Sequence, residues 1–525
     1  MRVETPEIRW HHGPTGLNEA VLTIDFLWRQ VSKSDGRVLP TVFATGGADK
    51  EIKLWTWTEN APNYIHSLSG HERSVNCVRF SPDGNFLASA SDDSTIVIWM
   101  RPKHLGEGET WDWSGIANNS DVSRVLLSCG HKGDITDLAW SPDSAYLCSV
   151  SIDNTSVIWH VPTEKVVEKR KDHSQYVQGA AWDPLNEFLV TEGNDRSCRV
   201  YSLVGFTKNG KKKKCQLLHS NRTRDIPGEK TEDDKQPKHS LFHDDTFPAF
   251  SRRPTWTPDG NYCLFPTGLF KSNSTSTTAN TVYVYARGNL SLPAFHLPGA
   301  DKPSMGVRCS PVLYTLAKET SVNVFALPYR ILFAVATLNA VLVYDSHLPH
   351  PVCVIDRIHY ADLTDLSWSV DGRVLVVSSL DGYVTFITFD EGEIGQPLPA
   401  EELPNYLDRQ RATIEQNQSQ PKKKVEVPKK DTPKKPEPPK LNSIRQFTAV
   451  IEPEAAFDPA NRPMILPTSE PPATAATAIS ATTTAAPKAD VVHAVPVRKK
   501  RKITPRLMSS APAPAPETVD LTNEE

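Results

Sequence analysis

Short apolar runs that end in an aromatic residue recur along the first 400 residues of the chain. One such run is Ile96–Trp99 and another is Val157–Trp159, and each follows a Ser-Pro-Asp turn, at residues 81 and 141. Proline fixes φ in such a turn, and the glycine at residue 84 supplies the positive φ. Runs this short, bounded by turn residues, predict β-strands rather than helices.

These runs belong to a repeat of about 42–44 residues. Within it a Gly-His pair, the Ser-Pro-Asp turn, a serine, an aspartate and the apolar run follow in order, and this order resembles the WD40 repeat. The resemblance implies an all-β fold, a seven-bladed WD40 β-propeller. The third strand of each blade ends at one of seven positions: Trp55, Trp99, Trp159, Tyr201, Tyr285, Tyr344 and about Ile387. Blade 5 departs from the pattern, since Ala279 replaces its aspartate.

Domain boundaries follow from the same repeat. The propeller spans residues 1–398, and three long gaps between blade ends predict insertions near residues 102–121, 207–236 and 300–320. The segment Val3–Trp10 alternates as a strand does, so we expect it to form the outer strand of the last blade and close the ring. Residues 399–525 are rich in Pro, Lys and Ala and poor in aromatics, which predicts a disordered tail.

Two repeats carry a His, a Ser, an Asp and a Trp at matching places. In the WD40 family these residues form a hydrogen-bonded tetrad that is structural. A buried histidine with such partners is satisfied rather than catalytic. The predicted tetrads are His71, Ser89, Asp93 and Trp99, and His131, Ser149, Asp153 and Trp159.

Composition excludes several classes of protein. The net charge of −4 argues against a general or sequence-specific nucleic-acid binder, which would show a basic face. The eight cysteines form no CxxC pair, so we expect reduced thiols and neither disulfides nor zinc. The longest apolar run, Ile331–Tyr344, is too short to cross a bilayer, and we predict no membrane partner.

Catalytic motifs are also missing from the sequence. It contains no Gly-rich phosphate loop, no Gly-x-Ser-x-Gly and no His-Glu-x-x-His. We therefore predict that the protein is not an enzyme and needs no cofactor or metal. Propellers that are enzymes usually line their central channel with charged residues, a feature that a sequence alone does not reveal.

Four blocks of sequence are more specific than a WD40 repeat. They resemble the WD-repeat subunit of chromatin assembly factor 1, and together they cover about residues 1–398. The blocks are Tyr176–Gly179 with Trp182–Pro184, Phe242–Asp245 with Arg252, Arg253 and Thr257–Gly260, Leu327–Arg330 before Ile331–Tyr344, and Ile358–Tyr360 with Leu366–Trp368 and Asp381–Tyr383.

The resemblance implies a nuclear histone chaperone subunit that assists deposition of histones 3 and 4 onto newly replicated DNA. Its implied partners are the large and small subunits of the factor, histones 3 and 4, and the anti-silencing function 1 chaperone. We also predict that Asp244, Asp245, Arg252 and Arg253 form a docking surface for the other subunits. The alternative for the two acids is that they cap a turn.

Two other functions stay open from the sequence. A HIR-type chaperone, which works independently of replication, also combines a propeller with a basic motif, but it carries a further folded C-terminal region. A ubiquitin-ligase substrate receptor would resemble its class in a Trp-Asp-x-Arg motif. Neither Trp111-Asp112 nor Trp182-Asp183 has an arginine two residues later.

Basic clusters in the tail carry two predictions. Lys422, Lys423 and Lys424, and a second cluster of Lys499, Lys500, Arg501 and Lys502, are typical of nuclear import signals. Residues 498–507 also resemble the short motif by which both chaperone families bind the anti-silencing function 1 chaperone. Its residues here are Arg501, Lys502, Ile503, Thr504 and Pro505, with Ile503 as the apolar anchor.

Overall fold

Four-stranded antiparallel sheets make up the protein. The computed structural model describes residues 1–13, 16–28, 41–58, 60–102, 112–204, 215–226, 237–316 and 323–399, and within them the strands form seven such sheets. The first strand of each blade contacts the first strand of a neighbouring blade, so these strands surround a central axis. The predicted seven-bladed propeller is confirmed.

Each of the first four blades takes its strands in chain order from the axis outwards. They are Val21–Phe26, Thr41–Gly47, Glu51–Thr58 and Ala61–Ser69 in blade 1; Val75–Phe80, Phe86–Ser91, Ile96–Met100 and Ser123–Leu127 in blade 2; Ile135–Trp140, Tyr146–Ser151, Ser156–His160 and Lys165–Arg170 in blade 3; and Val177–Trp182, Phe188–Gly193, Ser197–Ser202 and Gln216–Asn221 in blade 4.

Blades 5 and 6 repeat this order, and blade 7 takes its outer strand from the beginning of the chain. The strands are Thr255–Trp256, Tyr262–Phe270, Ala279–Ala286 and Phe295–Ala300 in blade 5; Ser304–Tyr314, Arg330–Thr337, Ala340–Asp345 and Pro351–Asp356 in blade 6; and Leu363–Trp368, Val374–Ser379, Val384–Thr388 and Arg2–Glu4 in blade 7. The remaining elements are a hairpin of Thr223–Asp225 with Lys238–Ser240, and three 3₁₀ turns at Trp113–Gly115, Asn119–Asp121 and Val161–Thr163.

The N-terminal segment closes the ring, in a shorter form than predicted. Only Arg2–Glu4 is a strand, and Val3 pairs with Ile387 of blade 7. Residues 6–10 then turn inwards, with Ile8 N donating to Pro6 O at 2.8 Å and Trp10 N to Ile8 O at 3.0 Å. Pro6 has no N–H to offer a ladder, and the turn inserts Trp10, fully buried, between blades 7 and 1.

Two of the regions with predicted insertions also contain strands of the blades. The region near 300–320 contains Ser304–Tyr314, the inner strand of blade 6, and the region 207–236 contains Gln216–Asn221, the outer strand of blade 4. The segment near 102–121 does precede the outer strand of blade 2. The sequence distance between the third strands of successive blades gives the number of inserted residues. It does not show whether those residues come before or after the outer strand that lies between them.

The cysteines are free thiols, and six of them lie in strands of the blades. All eight are unpaired, and six of them are buried. Burial raises the pKa of the Cys77 thiol to about 12. In the part of the chain that the structure describes, no helix is long and apolar enough to cross a membrane, and no three His, Cys, Asp or Glu side chains are grouped to hold a metal ion.

Candidate protein-binding surface

Both predicted tetrads are assembled by hydrogen bonds. In blade 2, His71 Nδ1 lies 2.9 Å from Asp93 Oδ2, and His71 Nε2 lies 2.8 Å from Ser89 Oγ. Trp99 Nε1 donates to the same Ser89 Oγ at 2.9 Å. In blade 3, Ser149 Oγ likewise lies 2.8 Å from His131 Nε2 and accepts from Trp159 Nε1 at 2.8 Å, while His131 Nδ1 contacts Asp153 at 3.3 Å. Each ring nitrogen has a partner, which fits a structural histidine.

Sequence reasoning missed three further sets of the same kind. His173 bonds Asp195 and Thr191, His359 bonds Asp381 and Thr385, and His11 bonds Asp49 and Thr45. A spacing of 22 residues from His to Asp is shared by the sets that begin at His71, His131, His173 and His359. This spacing was the available signal. We call the face that carries these histidines the top face.

A long loop crosses the centre of the top face. Residues 241–254, here called the central loop, join blade 4 to blade 5. His243 N donates to Thr267 O of blade 5 at 3.0 Å, and Ser251 Oγ donates to Thr136 O of blade 3 at 3.2 Å. A side chain on Gly179 of blade 4 would collide with the backbone carbonyl of Arg252. The loop therefore contacts several blades and covers this end of the axis.

Arg252 and Arg253 belong to the interior and do not form a docking surface. The exposed fraction is 0% for Arg252 and 2% for Arg253. The Arg252 guanidinium donates to the carbonyls of His243 at 2.6 Å and Asp244 at 2.5 Å, which holds the central loop closed. Arg253 donates to Thr364 O of blade 7 at 2.7 Å. Their charges are used inside the fold, so this part of the docking prediction is corrected.

The two acids of the docking prediction differ from each other. Asp244 Oδ1 accepts hydrogen bonds from Thr246 N at 3.1 Å and Thr246 Oγ1 at 2.6 Å, and Asp244 Oδ2 pairs with Arg196. Asp244 thus caps the turn of the central loop, which was the alternative interpretation. Asp245 is exposed beside it. Docking therefore remains a prediction for Asp245.

A network of buried charges lies along the axis beneath the central loop. Asp365 contacts Arg79 at 2.8 Å, Arg253 at 3.1 Å and Arg308 at 3.7 Å. Asp137 lies 3.4 Å from Arg253 and 3.6 Å from Arg79. Burial alone would raise the pKa of Asp365, but these guanidinium charges outweigh burial and hold the pKa well below its usual range.

The axis thus carries charged residues, the feature that is typical of propellers that are enzymes. Here they are paired with one another, because both aspartates bridge Arg79 of blade 2 and Arg253 of the central loop. Asp365 and Asp137 are 2% and 1% exposed, so solvent hardly reaches either carboxylate. The arrangement joins the inner strands of blades 2, 3, 6 and 7 to the central loop.

Three exposed aromatic side chains lie on the top face, one on the central loop and two beside tetrad histidines. Tyr176 and Phe250 are 49% and 44% exposed, and Tyr360 is fully exposed. Tyr176 precedes the inner strand of blade 4, Phe250 lies on the central loop, and Tyr360 precedes the inner strand of blade 7. Aromatic residues that reach solvent next to polar neighbours are typical of protein interfaces.

A family model described as the CAF1B/HIR1 beta-propeller domain matches residues 1–394, the whole propeller. The chain belongs to this family. It is 38% identical over 405 residues to the chromatin assembly factor 1 subunit FAS2 homolog of Oryza sativa subsp. japonica, covering 76% of this chain and 74% of that one. It is 33% identical to a chromatin assembly factor 1 subunit of Saccharomyces cerevisiae, over 66% of this chain and 80% of that one.

HIR1 proteins also match this member of the CAF1B/HIR1 family. Protein HIR1 of Kluyveromyces lactis is 27% identical, over 70% of this chain but only 42% of its own length. The chromatin assembly factor 1 subunits are more nearly identical to this chain, and the match covers a larger share of their own length. The comparisons therefore support a histone chaperone role in chromatin assembly, and they favour chromatin assembly factor 1 over a HIR-type protein. The family is one of scaffolding propellers.

The predicted tail sites lie outside the described residues. They are the import clusters at residues 422–424 and 499–502 and the chaperone motif at 501–505.

One buried carboxyl of this family member predicts a pH dependence of stability. Burial raises the pKa of Glu192 to about 8, against the opposing charge of Arg252 and the hydrogen bond from Thr267. The unfolded value is about 4.3. Because the folded pKa is raised, stability is complete below pH ~4.3 and is lost as pH rises towards 8. The Glu192→Gln variant has no carboxyl at this position and should not show this loss. The difference in stability between the variant and the wild type should therefore grow by ~1 kcal/mol per pH unit in this range.

Thermal melting at pH 5.5 and pH 8 measures this effect. The wild-type melting temperature should fall more between the two pH values than that of Glu192→Gln. The matched control is Glu164→Gln, an exposed glutamate in the turn before the outer strand of blade 3. Equal pH dependence of wild type and Glu192→Gln would mean that the Glu192 carboxyl does not titrate in this range.

Proposed function

We propose that this chain is the WD-repeat subunit of a chromatin assembly factor 1 complex. In this role it assists deposition of histones 3 and 4 onto newly replicated DNA by docking partner proteins. The observation that carries the proposal is the 38% identity to a chromatin assembly factor 1 subunit over 76% of the chain. The four sequence blocks of that subunit lie inside the matched propeller, and two of them meet where Gly179 contacts the central loop.

The propeller acts as a scaffold and performs no catalytic step. The tetrad histidines and the axial aspartates, which carry the titratable groups of an active site, are bonded within the fold. The exposed side chains of the top face include the aromatic residues Tyr176, Phe250 and Tyr360 and the acid Asp245, and such side chains recognise basic proteins. No cofactor or metal is part of this proposal.

Its partners are the large and small subunits of the factor, histones 3 and 4, and the anti-silencing function 1 chaperone. The large subunit docks on the top face, where Asp245 is exposed on the central loop. Loops held by a rigid scaffold commonly carry binding residues, and the contacts of Arg252 and Asp244 hold this loop in one conformation.

Reconstitution tests this proposal. The full chain is co-expressed with the large and small subunits, the complex is isolated by size exclusion, and histone deposition on replicated DNA is measured with and without the chain. A stoichiometric complex and chain-dependent deposition are expected. Asp245→Asn should weaken the complex, and Glu164→Gln, which lies in a loop remote from the central loop, should not. A chain that fails to join the other subunits overturns the proposal.

The tail motif is proposed to bind the anti-silencing function 1 chaperone through Ile503. A buried aliphatic anchor contributes on the order of 1–3 kcal/mol, so Ile503→Ala should weaken binding roughly 5- to 150-fold. Titration calorimetry with the full chain measures this affinity. Lys424→Ala, a basic-cluster change outside the motif, serves as the control. Unchanged binding of Ile503→Ala would leave the cluster with the import role alone.

Nuclear localisation is proposed to depend on the two basic clusters. Alanine replacement of residues 422–424 and 499–502 together should leave the tagged chain in the cytoplasm, since import receptors bind short Lys/Arg runs. Ile503→Ala should still enter the nucleus, which separates the two roles of the tail. Continued nuclear accumulation of the cluster variant would indicate entry bound to a partner.

A further inference from the structure

A chain of hydrogen bonds brings four separate parts of the sequence together at the inner rim of blades 2 to 4. Asn76 Nδ2 donates to Asp92 Oδ1 at 2.6 Å and to Ile135 O, next to Asp134, at 3.0 Å. Thr136 O then accepts from Ser251 Oγ at 3.2 Å, next to Phe250. These contacts bring the segments that carry Asp92, Asp134 and Phe250 to the same rim of the top face, where Asp92 is close enough to act on the charge of Asp134.

Tyr176 joins the same group from blade 4. Gln178 Nε2 donates to Phe250 O at 3.0 Å, and Thr136 Oγ1 donates to the carbonyl of Val177 at 2.7 Å. Tyr176, two residues before Gln178, and Phe250 therefore lie in segments that Gln178 joins, and both rings are about half exposed. We call Asp92, Asp134, Tyr176 and Phe250 the aromatic–acidic patch.

The electrostatics of the patch favour a cation. Burial and the neighbouring charge of Asp92 both raise the pKa of Asp134, and Arg73 offsets them only in part. Two carboxylates that repel each other are both stabilised when a positive charge arrives between them. Gln178 Oε1 is buried and accepts no hydrogen bond from any described residue, so this region also holds an acceptor that has no partner.

The exposed rings narrow the choice of cation. Aromatic faces attract lysine and arginine side chains by cation–π interaction, and they also cover the apolar stems of those side chains. A small inorganic cation gains nothing from the rings. A nucleic acid would be repelled by the acids, and a second copy of this chain carries a net charge of −4 itself.

We propose that the aromatic–acidic patch binds an extended lysine- or arginine-bearing segment of a protein partner, with one cationic side chain placed between Asp92 and Asp134 and against Tyr176 and Phe250. The proposal deepens the proposed function and rests on it for the choice of partner, the basic N-terminal tail of histone 3. It assigns this tail to the rim of blades 2 to 4 and to Phe250, whereas Asp245 of the central loop and the exposed Tyr360 stay available to the other subunits.

Fluorescence anisotropy with the full chain tests the proposal. The probe is a labelled peptide of the histone 3 N-terminal tail, and the reference peptide has its Lys and Arg replaced by Gln. The wild type should bind the probe with an affinity that falls with salt, and should not bind the reference. Absence of probe binding at low salt, or equal binding of the reference, overturns the proposal.

Variants assign the binding to the patch. Tyr176→Ala with Phe250→Ala should weaken binding at least ~10-fold, and Asp134→Asn should weaken it several-fold and reduce its dependence on salt. The matched control is Val352→Ala, because Val352 is 49% exposed on the outer strand of blade 6. Patch variants that melt like the wild type and bind like the wild type overturn the assignment.

Complex formation is measured on the same proteins. If the patch variants lose the peptide but still join the large subunit, both proposals stand. If the wild type joins the large subunit but does not bind the peptide, the proposed peptide site is wrong and the proposed function stands. If the wild type binds the peptide through the patch but does not join the large subunit, the proposed function fails and the patch remains a site for basic segments.

Discussion

Replacing Asp365 with alanine is expected to lower the free energy of unfolding by about 3–5 kcal/mol. The carboxylate is buried and contacts Arg79, Arg253 and Arg308, which come from blade 2, the central loop and blade 6. Without it, three guanidinium groups repel one another in an interior that gives them little solvent. Removing one partner of a buried ion pair lowers the free energy of unfolding far more than removing a surface ion pair does.

Denaturant unfolding of the two proteins at pH 7 measures this loss. The control is Glu391→Ala, an exposed acid beyond blade 7. Because the folded pKa of Asp365 is lowered, its contribution is present above pH ~4 and is lost as pH falls below that value. The difference between wild type and variant should therefore shrink in acid. A variant as stable as the wild type at pH 7 would show that the axial network adds nothing to stability.

Deleting residues 1–10 is expected to lower the melting temperature by several degrees. The deletion removes the pairing of Arg2–Glu4 with Phe386, Ile387 and Thr388 and opens an edge of blade 7. It also removes Trp10, whose ring centroid lies 4.5 Å from that of Trp55 and 5.9 Å from that of Phe386. Loss of a buried tryptophan alone costs about 3–5 kcal/mol.

Point variants separate the two contributions. Trp10→Ala keeps the strand and should show a large part of the loss in a thermal melt. Arg9→Ala alters an exposed neighbour and should melt like the wild type. The deletion variant should in addition self-associate, since an unpaired strand edge is free to pair with another chain. A truncated protein that melts like the intact one would show that residues 1–10 do not stabilise the ring.

The number of blades and the place of the tetrads could be predicted because their signals are local. A Ser-Pro-Asp turn, a 22-residue spacing from His to Asp and a strand that ends in Trp each depend on a few neighbouring residues. Turn chemistry and hydrogen-bond satisfaction act over that distance. The specific blocks within the same repeats identified the family before any tertiary contact was known.

Only the tertiary structure decided what the charged residues do. Arg252 and Arg253 were predicted on the surface with Asp244 and Asp245, yet both arginines are buried, because the central loop folds back over the axis. A sequence shows that a charge is present, but its burial depends on residues from other blades that close around it. The cost of burial then forces the charge to find partners.

Asp245 and the aromatic–acidic patch, the two candidate binding features of the top face, differ in how far the sequence alone reveals them. Asp245 was named from a block of adjacent residues, which the sequence by itself displays. The aromatic–acidic patch unites Asp92, Asp134, Tyr176 and Phe250, and it exists only because blades 2, 3 and 4 and the central loop pack against one another. The sequence by itself determined the repeat and the family, since local patterns encode both. The packing of the blades and the central loop decided which side chains are buried at the axis and which meet in the patch, since both depend on contacts between residues far apart in the sequence.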